Sequence, residues 1–155
     1  MASTSTSVNS NHDVFISHRG VDVKKTLASH LYQRLLSHGI RAFLDQDELV
    51  QGDDLTRQIE CAIRSASVHV AIFSTRYADS AWCLKELVLM HDSNSPIIPV
   101  FYSVDPVELR RTTKTYAQNL EKLKSRYDFT TVEKWREALA SVADISGFEL
   151  KAYNG

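Results

Sequence analysis

Asp13-Val14-Phe15-Ile16-Ser17-His18-Arg19-Gly20 joins three apolar residues, two of them β-branched, to an abrupt polar cluster. A run this short and this apolar reads as a strand buried on both faces. The chain then repeats the plan. Asp22 can cap a helix over which Val23, Leu27, Leu31 and Leu35 recur at four-residue spacing, and Gly39 stands where a left-handed residue stops it. Residues 40–44 read as a second strand, followed by an acidic loop at 45–54. Leu55, Ile59 and Ile63 mark a second helix, with Ala62 and Ala66 beside that stripe. Residues 68–73 form a third strand, apolar apart from His69, and Ser80 can cap a third helix reaching about His91. Residues 97–102 form a fourth strand, in which Pro99 suggests a sheet edge or an irregular ladder. Further on, Asp105-Pro106 opens a short helix and residues 112–119 are ambiguous. Residues 132–145 form a helix with Trp135, Leu139 and Val142 on one face, and 148–150 a short last strand.

Strands alternating with amphipathic helices imply parallel pairing through right-handed crossovers. The expected product is an α/β, flavodoxin-like, doubly wound parallel sheet of four to five strands with helices on both faces. Ligands in such folds bind beyond the carboxyl ends of the strands, which puts residues 17–20, 45–54 and 74–82 around one cleft. The fold alone leaves the chemistry open.

Composition narrows the classes. The 155 residues suit one domain, and 43% apolar with 24% charged is an ordinary globular balance. A net charge of −1 offers no field for nucleic acid or an anionic membrane, and no apolar run is long enough to span a bilayer. Lys122, Lys124 and Arg126 form a small basic cluster that reads as a solvated face. Cys61 and Cys83, without a CxxC pair, read as two buried, reduced thiols. Residues 1–12 read as a disordered Ser/Thr-rich leader, leaving 13–155 for the domain.

Several chemistries lack their residues. His12, His18, His30, His38, His69 and His91 are scattered without a zinc spacing, so no metal site is expected. The single glycine of residues 17–20 makes no phosphate cradle, and no GxSxG elbow occurs. The first and third strands end in Ser17 and Ser74, where a phosphoacceptor site needs carboxylates. On the third helix, with Cys83, Leu87 and Met90 facing inward, Glu86 falls about 100° from the centre of that face, and Lys85 points to solvent. Trp82 lies one turn earlier. The expectation is a partly desolvated carboxylate at the rim of the core, beside an indole.

The series Asp13 to Gly20, Ser29-His30-Leu31, Phe43-Leu44-Asp45, Ser80-Ala81-Trp82-Cys83-Leu84-Lys85-Glu86-Leu87 and Ile98-Pro99-Val100-Phe101-Tyr102 resembles the ordered motifs of plant Toll/interleukin-1 receptor (TIR) domains. Trp135-Arg136-Glu137-Ala138-Leu139 and Ser146-Gly147-Phe148 resemble the end of that series. The plainest assignment is a TIR-only protein. The resemblance implies cleavage of NAD+ at the nicotinamide–ribose bond, giving ADP-ribose and cyclic isomers in plant defence and cell-death signalling. NAD+ is then substrate, and no cofactor is implied. Glu86 matches the family's essential glutamate, Trp82 the pocket aromatic, and Ser17, Arg19, Gly20 and Asp45 stand in the strand-end segments bordering the substrate. Residues 45–54 correspond to the loop that covers the site and contributes to assembly, and Ser29 with His30 to a self-association face. The same resemblance implies a cytoplasmic protein, also nuclear in some settings, and the alternative of a non-catalytic TIR–TIR assembly adaptor. His18 and Val21 depart from the aromatic and acidic residues of many plant relatives, which bears on product choice.

Overall fold

The computed structural model describes residues 12–19, 27–44 and 55–151. The leader to residue 11, the segment 20–26 with its Asp22 cap and Val23, and the acidic loop 45–54 lie outside the described residues. His12, expected in the leader, sits with its ring edge against Phe43 at 5.1 Å.

Five strands form one parallel sheet: β1 (Val14–Ser17), β2 (Ala42–Leu44), β3 (Val68–Phe73), β4 (Ile97–Tyr102) and β5 (Phe148–Leu150). Their order is β2-β1-β3-β4-β5, all neighbours being parallel. The described helices are α1 (Ser29–Ser37), α2 (Arg57–Ser65), α3 (Ala81–Asp92), α4 (Pro106–Arg111), α5 (Lys114–Leu123) and α6 (Phe129–Ala143), with a 3₁₀ turn at Tyr77–Asp79 before α3. From β1 the chain steps one way to β2 and the other way to β3. Right-handed crossovers therefore put α1 on one face of the sheet and the later helices on the opposite face.

The period of two along each strand separates two cores. Phe15, Ala71, Phe73 and Phe101 face the larger core with residues of α2, α3, α5 and α6. Ile16, Val70, Ile72 and Val100 face the smaller one, against which Leu27, Leu31 and Leu35 pack. Helix starts follow polar caps: Thr56 Oγ1 accepts from Ile59 N–H, Ser80 Oγ from Cys83 N–H, Asp105 Oδ1 from Val107 N–H and Asp128 Oδ1 from Thr131 N–H. Gly39, at φ +77°, ends α1, and its N–H bonds the Leu36 carbonyl at 3.0 Å.

Several expectations change. The ambiguous stretch 112–119 lies mostly within helix α5, and α6 begins at Phe129 because Asp128 caps it there. Cys61 is exposed rather than buried, since Ile59, Ala62 and Ile63 occupy the inward face of α2. β4 is not an edge strand, because β5 flanks it. Pro99 is tolerated because pairing with β5 begins only at Val100. The backbone of Gly147 passes so close that a Cβ there would overlap the Pro99 carbonyl oxygen.

His69 is fully buried on the Phe15 face of β3, opposite Phe15 in register and edge-on to its ring. Its Nε2 lies 2.8 Å from the Ile63 carbonyl, so Nε2 carries the hydrogen and donates. Burial holds its pKa below the usual 6.5, outweighing the opposing effect of that bond. The unfolded chain therefore binds a proton at a higher pH than the folded one. Stability is full above about pH 6.5 and falls as pH drops through that value toward the folded pKa. We expect the wild type to lose more unfolding free energy between about pH 7.5 and 5.5 than His69→Leu does, although the variant is less stable at the upper pH. Urea titrations at both values check this, and equal losses would rule out the assignment.

Candidate functional site

The site is built from the end of β1. Ser17 stands two residues after Phe15, so the pleat points it to the face of the larger core. It is fully buried, and its Oγ donates to Glu86 Oε1 at 2.8 Å. Glu86 arrives from α3, the helix that Ser80 caps. Its side chain is only 1% exposed. The expected rim position is thereby corrected: Trp82, Cys83, Leu84, Glu86, Leu87 and Met90 are all buried, because α3 is packed on several sides, by α2, α6, the 3₁₀ turn and β1. Lys85 does not simply point to solvent either. It is half-buried, with Nζ 5.6 Å from the centre of the Tyr127 ring.

Tyr77, unremarked in the sequence, completes the group. Its hydroxyl lies 2.7 Å from Ser17 Oγ and 3.2 Å from the Cys83 carbonyl. Its ring meets Phe73 edge-on at 4.9 Å. Burial first, then the neighbouring Cys83 and Glu86, hold its pKa well above the usual 10, so it stays an O–H donor. The loop that carries Tyr77 is pinned from α5. The Tyr116 hydroxyl donates to the Ser74 carbonyl at 2.6 Å, and Asn119 Nδ2 to the Thr75 carbonyl at 3.0 Å. The one sequence signal for Tyr77 was its place in the strand-end segment 74–82. Its depth follows from where α5 packs, which no local pattern records.

The other expected residues divide. Arg19 is half-buried two residues after the end of β1, while Gly20, Val21 and Asp45 lie outside the described residues. His18 is buried, and its carbonyl accepts from Cys83 Sγ at 3.4 Å. Trp82, expected as a pocket wall, is 6% exposed and belongs to the larger core. Ser29 is half-buried and His30 exposed on α1, off the Leu27/Leu31/Leu35 stripe. In the basic cluster, Lys124 pairs with Glu121 at 3.1 Å and Arg126 lies over the Tyr127 ring at 5.5 Å. Among the described residues no three His, Cys, Asp or Glu side chains gather as a metal site would need, and no helix is long and apolar enough to cross a membrane.

The five-stranded parallel sheet has known counterparts. The family model described as "TIR domain" matches residues 11–154. The chain belongs to the TIR family. Among its relatives, TMV resistance protein N of Nicotiana glutinosa is 37% identical over 153 residues, 95% of this chain and 13% of that protein. A "Probable 2' cyclic ADP-D-ribose synthase BdTIR" of Brachypodium distachyon is 49% identical over 100 residues, 64% of this chain and 45% of that protein. The chain thus spans less than half the length of each of these relatives. TIR domains in the structure of the activated Roq1 resistosome, which directly recognises the pathogen effector XopQ, superpose with a TM-score of 0.81 at 39% identity, over 90% of this chain and 87% of theirs. The TIR fold, and kinship with plant resistance proteins, are therefore shared.

The burial of Trp82 yields an expectation. Trp82→Ala should lower the unfolding free energy by about 3–5 kcal/mol, measured by urea titration. A loss under about 1 kcal/mol would show that the indole does not fill the core.

Proposed function

We propose that the chain cleaves NAD+ at the nicotinamide–ribose bond, with Glu86 as its catalytic carboxylate, and that it works in plant defence signalling. The observation that carries this reading is the buried Glu86 held by Ser17 at the carboxyl end of β1, where ligands of doubly wound sheets bind. The relative named as a probable 2' cyclic ADP-D-ribose synthase supports the same chemistry. As the bond breaks, its electron pair moves onto the ring nitrogen and nicotinamide leaves neutral, so no general acid is required. Positive charge develops on the ribose, and a fixed carboxylate stabilises it. Capture by water, with loss of a proton, gives ADP-ribose. Capture by a ribose hydroxyl or the adenine gives a cyclic isomer. In this reading Arg19, Gly20 and Asp45 border the substrate, and NAD+ is consumed rather than kept as a cofactor. Trp82 bears on the shape of the site from within the core. The protein would act in the cytoplasm.

The resistosome TIR domains support a second element, self-association. We assign it to the α1 face carrying Ser29 and the exposed His30. His30→Ala should shift sedimentation toward smaller species and reduce activity at low protein concentration, with thermal stability nearly unchanged. Identical sedimentation and activity would remove that face from the proposal.

For the catalytic element, Glu86→Gln preserves shape and Glu86→Ala removes the group. Both should lower nicotinamide release about 100-fold or more, followed by chromatography at matched concentration. Glu108 is half-buried with an enclosed Oε1, so the exposed Glu121 is the better silent control. Wild-type turnover in a folded Glu86 variant would leave the non-catalytic assembly adaptor as the reading.

A further inference from the structure

Ser17 and Tyr77 own two hydroxyl hydrogens and take part in three contacts. Ser17 Oγ lies 2.8 Å from Glu86 Oε1 and 2.7 Å from Tyr77 Oη, and Tyr77 Oη lies 3.2 Å from the Cys83 carbonyl. An ionised carboxylate only accepts, so the Ser17 hydrogen is committed to Glu86. The 2.7 Å contact then has a single possible donor, the Tyr77 hydroxyl. The Cys83 carbonyl is left with at most a share of that hydrogen, in keeping with its longer distance. The chain of bonds is directional: Tyr77 to Ser17 to Glu86. A proton placed on Oε1 would reverse it, with Glu86 donating to Ser17, Ser17 to Tyr77 and Tyr77 to the Cys83 carbonyl. Three hydrogens would then meet three contacts, whereas with Glu86 ionised two hydrogens serve three and the Cys83 carbonyl is the contact left short.

The relay is also rigid. Both hydroxyls are fully buried, the Tyr77 ring is held against Phe73, and its loop is tied down by Tyr116 and Asn119. Linked donors polarise one another, and in a dry interior the last bond of such a chain is strengthened by those behind it.

We propose that Tyr77 is a positioning residue which, acting through Ser17, fixes Glu86 Oε1 in the orientation that stabilises the charge developing on the ribose. The proposal rests on Glu86 being the catalytic carboxylate. Stabilisation by a fixed group is worth most when the group need not reorganise as charge forms. A glutamate with a loosened anchor must reorient first, which slows turnover and leaves ground-state binding alone.

The test is steady-state kinetics on the full chain, at protein concentrations where specific activity no longer rises. Tyr77→Phe keeps the ring and removes one hydroxyl. Its kcat should fall about five- to tenfold with KM within about twofold of wild type, as expected for one lost hydrogen bond. Ser17→Ala should lower kcat further, and adding Tyr77→Phe to it should cost nothing more, because Tyr77 acts only through Ser17. A folded Tyr77→Phe with wild-type kcat, or losses that multiply in the double variant, would overturn the relay. Should Ser17→Ala fail to fold, the kcat of Tyr77→Phe against its KM decides alone. Glu86→Ala in the same series separates the two levels. An active Glu86→Ala sinks the catalytic reading itself, whereas an inactive one beside an unimpaired Tyr77→Phe sinks only the relay.

Discussion

Taking a carboxylate out of water costs several kcal/mol unless donors meet its oxygens, and Glu86 is almost wholly enclosed. The bond from Ser17, at 2.8 Å, is short enough to count among the stronger side-chain bonds. It spans 69 residues of sequence and joins the first strand of the sheet to the third described helix. It forms only when β1, the 3₁₀ turn and α3 are all in place. The cost of enclosing Glu86 is carried by the surrounding core, where Phe15, Phe73, Cys83, Leu84 and Leu87 are fully buried.

That dependence explains how distant features bear on one carboxylate. The Ser80 cap starts α3, and Glu86 then follows at the position where the helix delivers it to Ser17. The loop between β3 and α3 would be free to move were it not tied to α5 by Tyr116 and Asn119. Tyr77 thereby becomes part of the structural support behind the carboxylate. Groups of this kind hold a reactive side chain without touching the substrate.

The two faces of the sheet are unequal. The larger core encloses the candidate site, while α1 covers the smaller core with Ser29 half-buried and His30 exposed. The proposed chemistry and the proposed assembly surface thus lie on opposite faces of the sheet. The TIR fold is shared with the resistosome TIR domains, yet fold alone does not specify reaction. The proposed NAD+ cleavage rests on the Glu86 constellation.

Strand and helix identities were legible in the sequence because period and capping are local. The apolar run Val14-Phe15-Ile16, the caps Ser80 and Asp105, the stop at Gly39 and the final strand Phe148–Leu150 are all found where the pattern puts them. The motif series was enough to place the chain in its family. Long-range packing was not legible. Helical spacing gives the angle of Glu86 about α3, but not how many neighbours crowd that helix, so a rim position was expected and an interior one is found. Pro99 read as a sign of an edge or an irregular ladder, two alternatives that β4 alone does not separate, because the late start of β5 pairing cannot be seen from it. Tyr77 gave no sign beyond its place in the segment 74–82, since its partner Ser17 lies 60 residues away. Sequence by itself determined which segments fold and in what order, because those depend on neighbours within a few residues. Only the tertiary structure decided how deep the carboxylate lies and what holds it, because both depend on contacts between segments far apart in the chain.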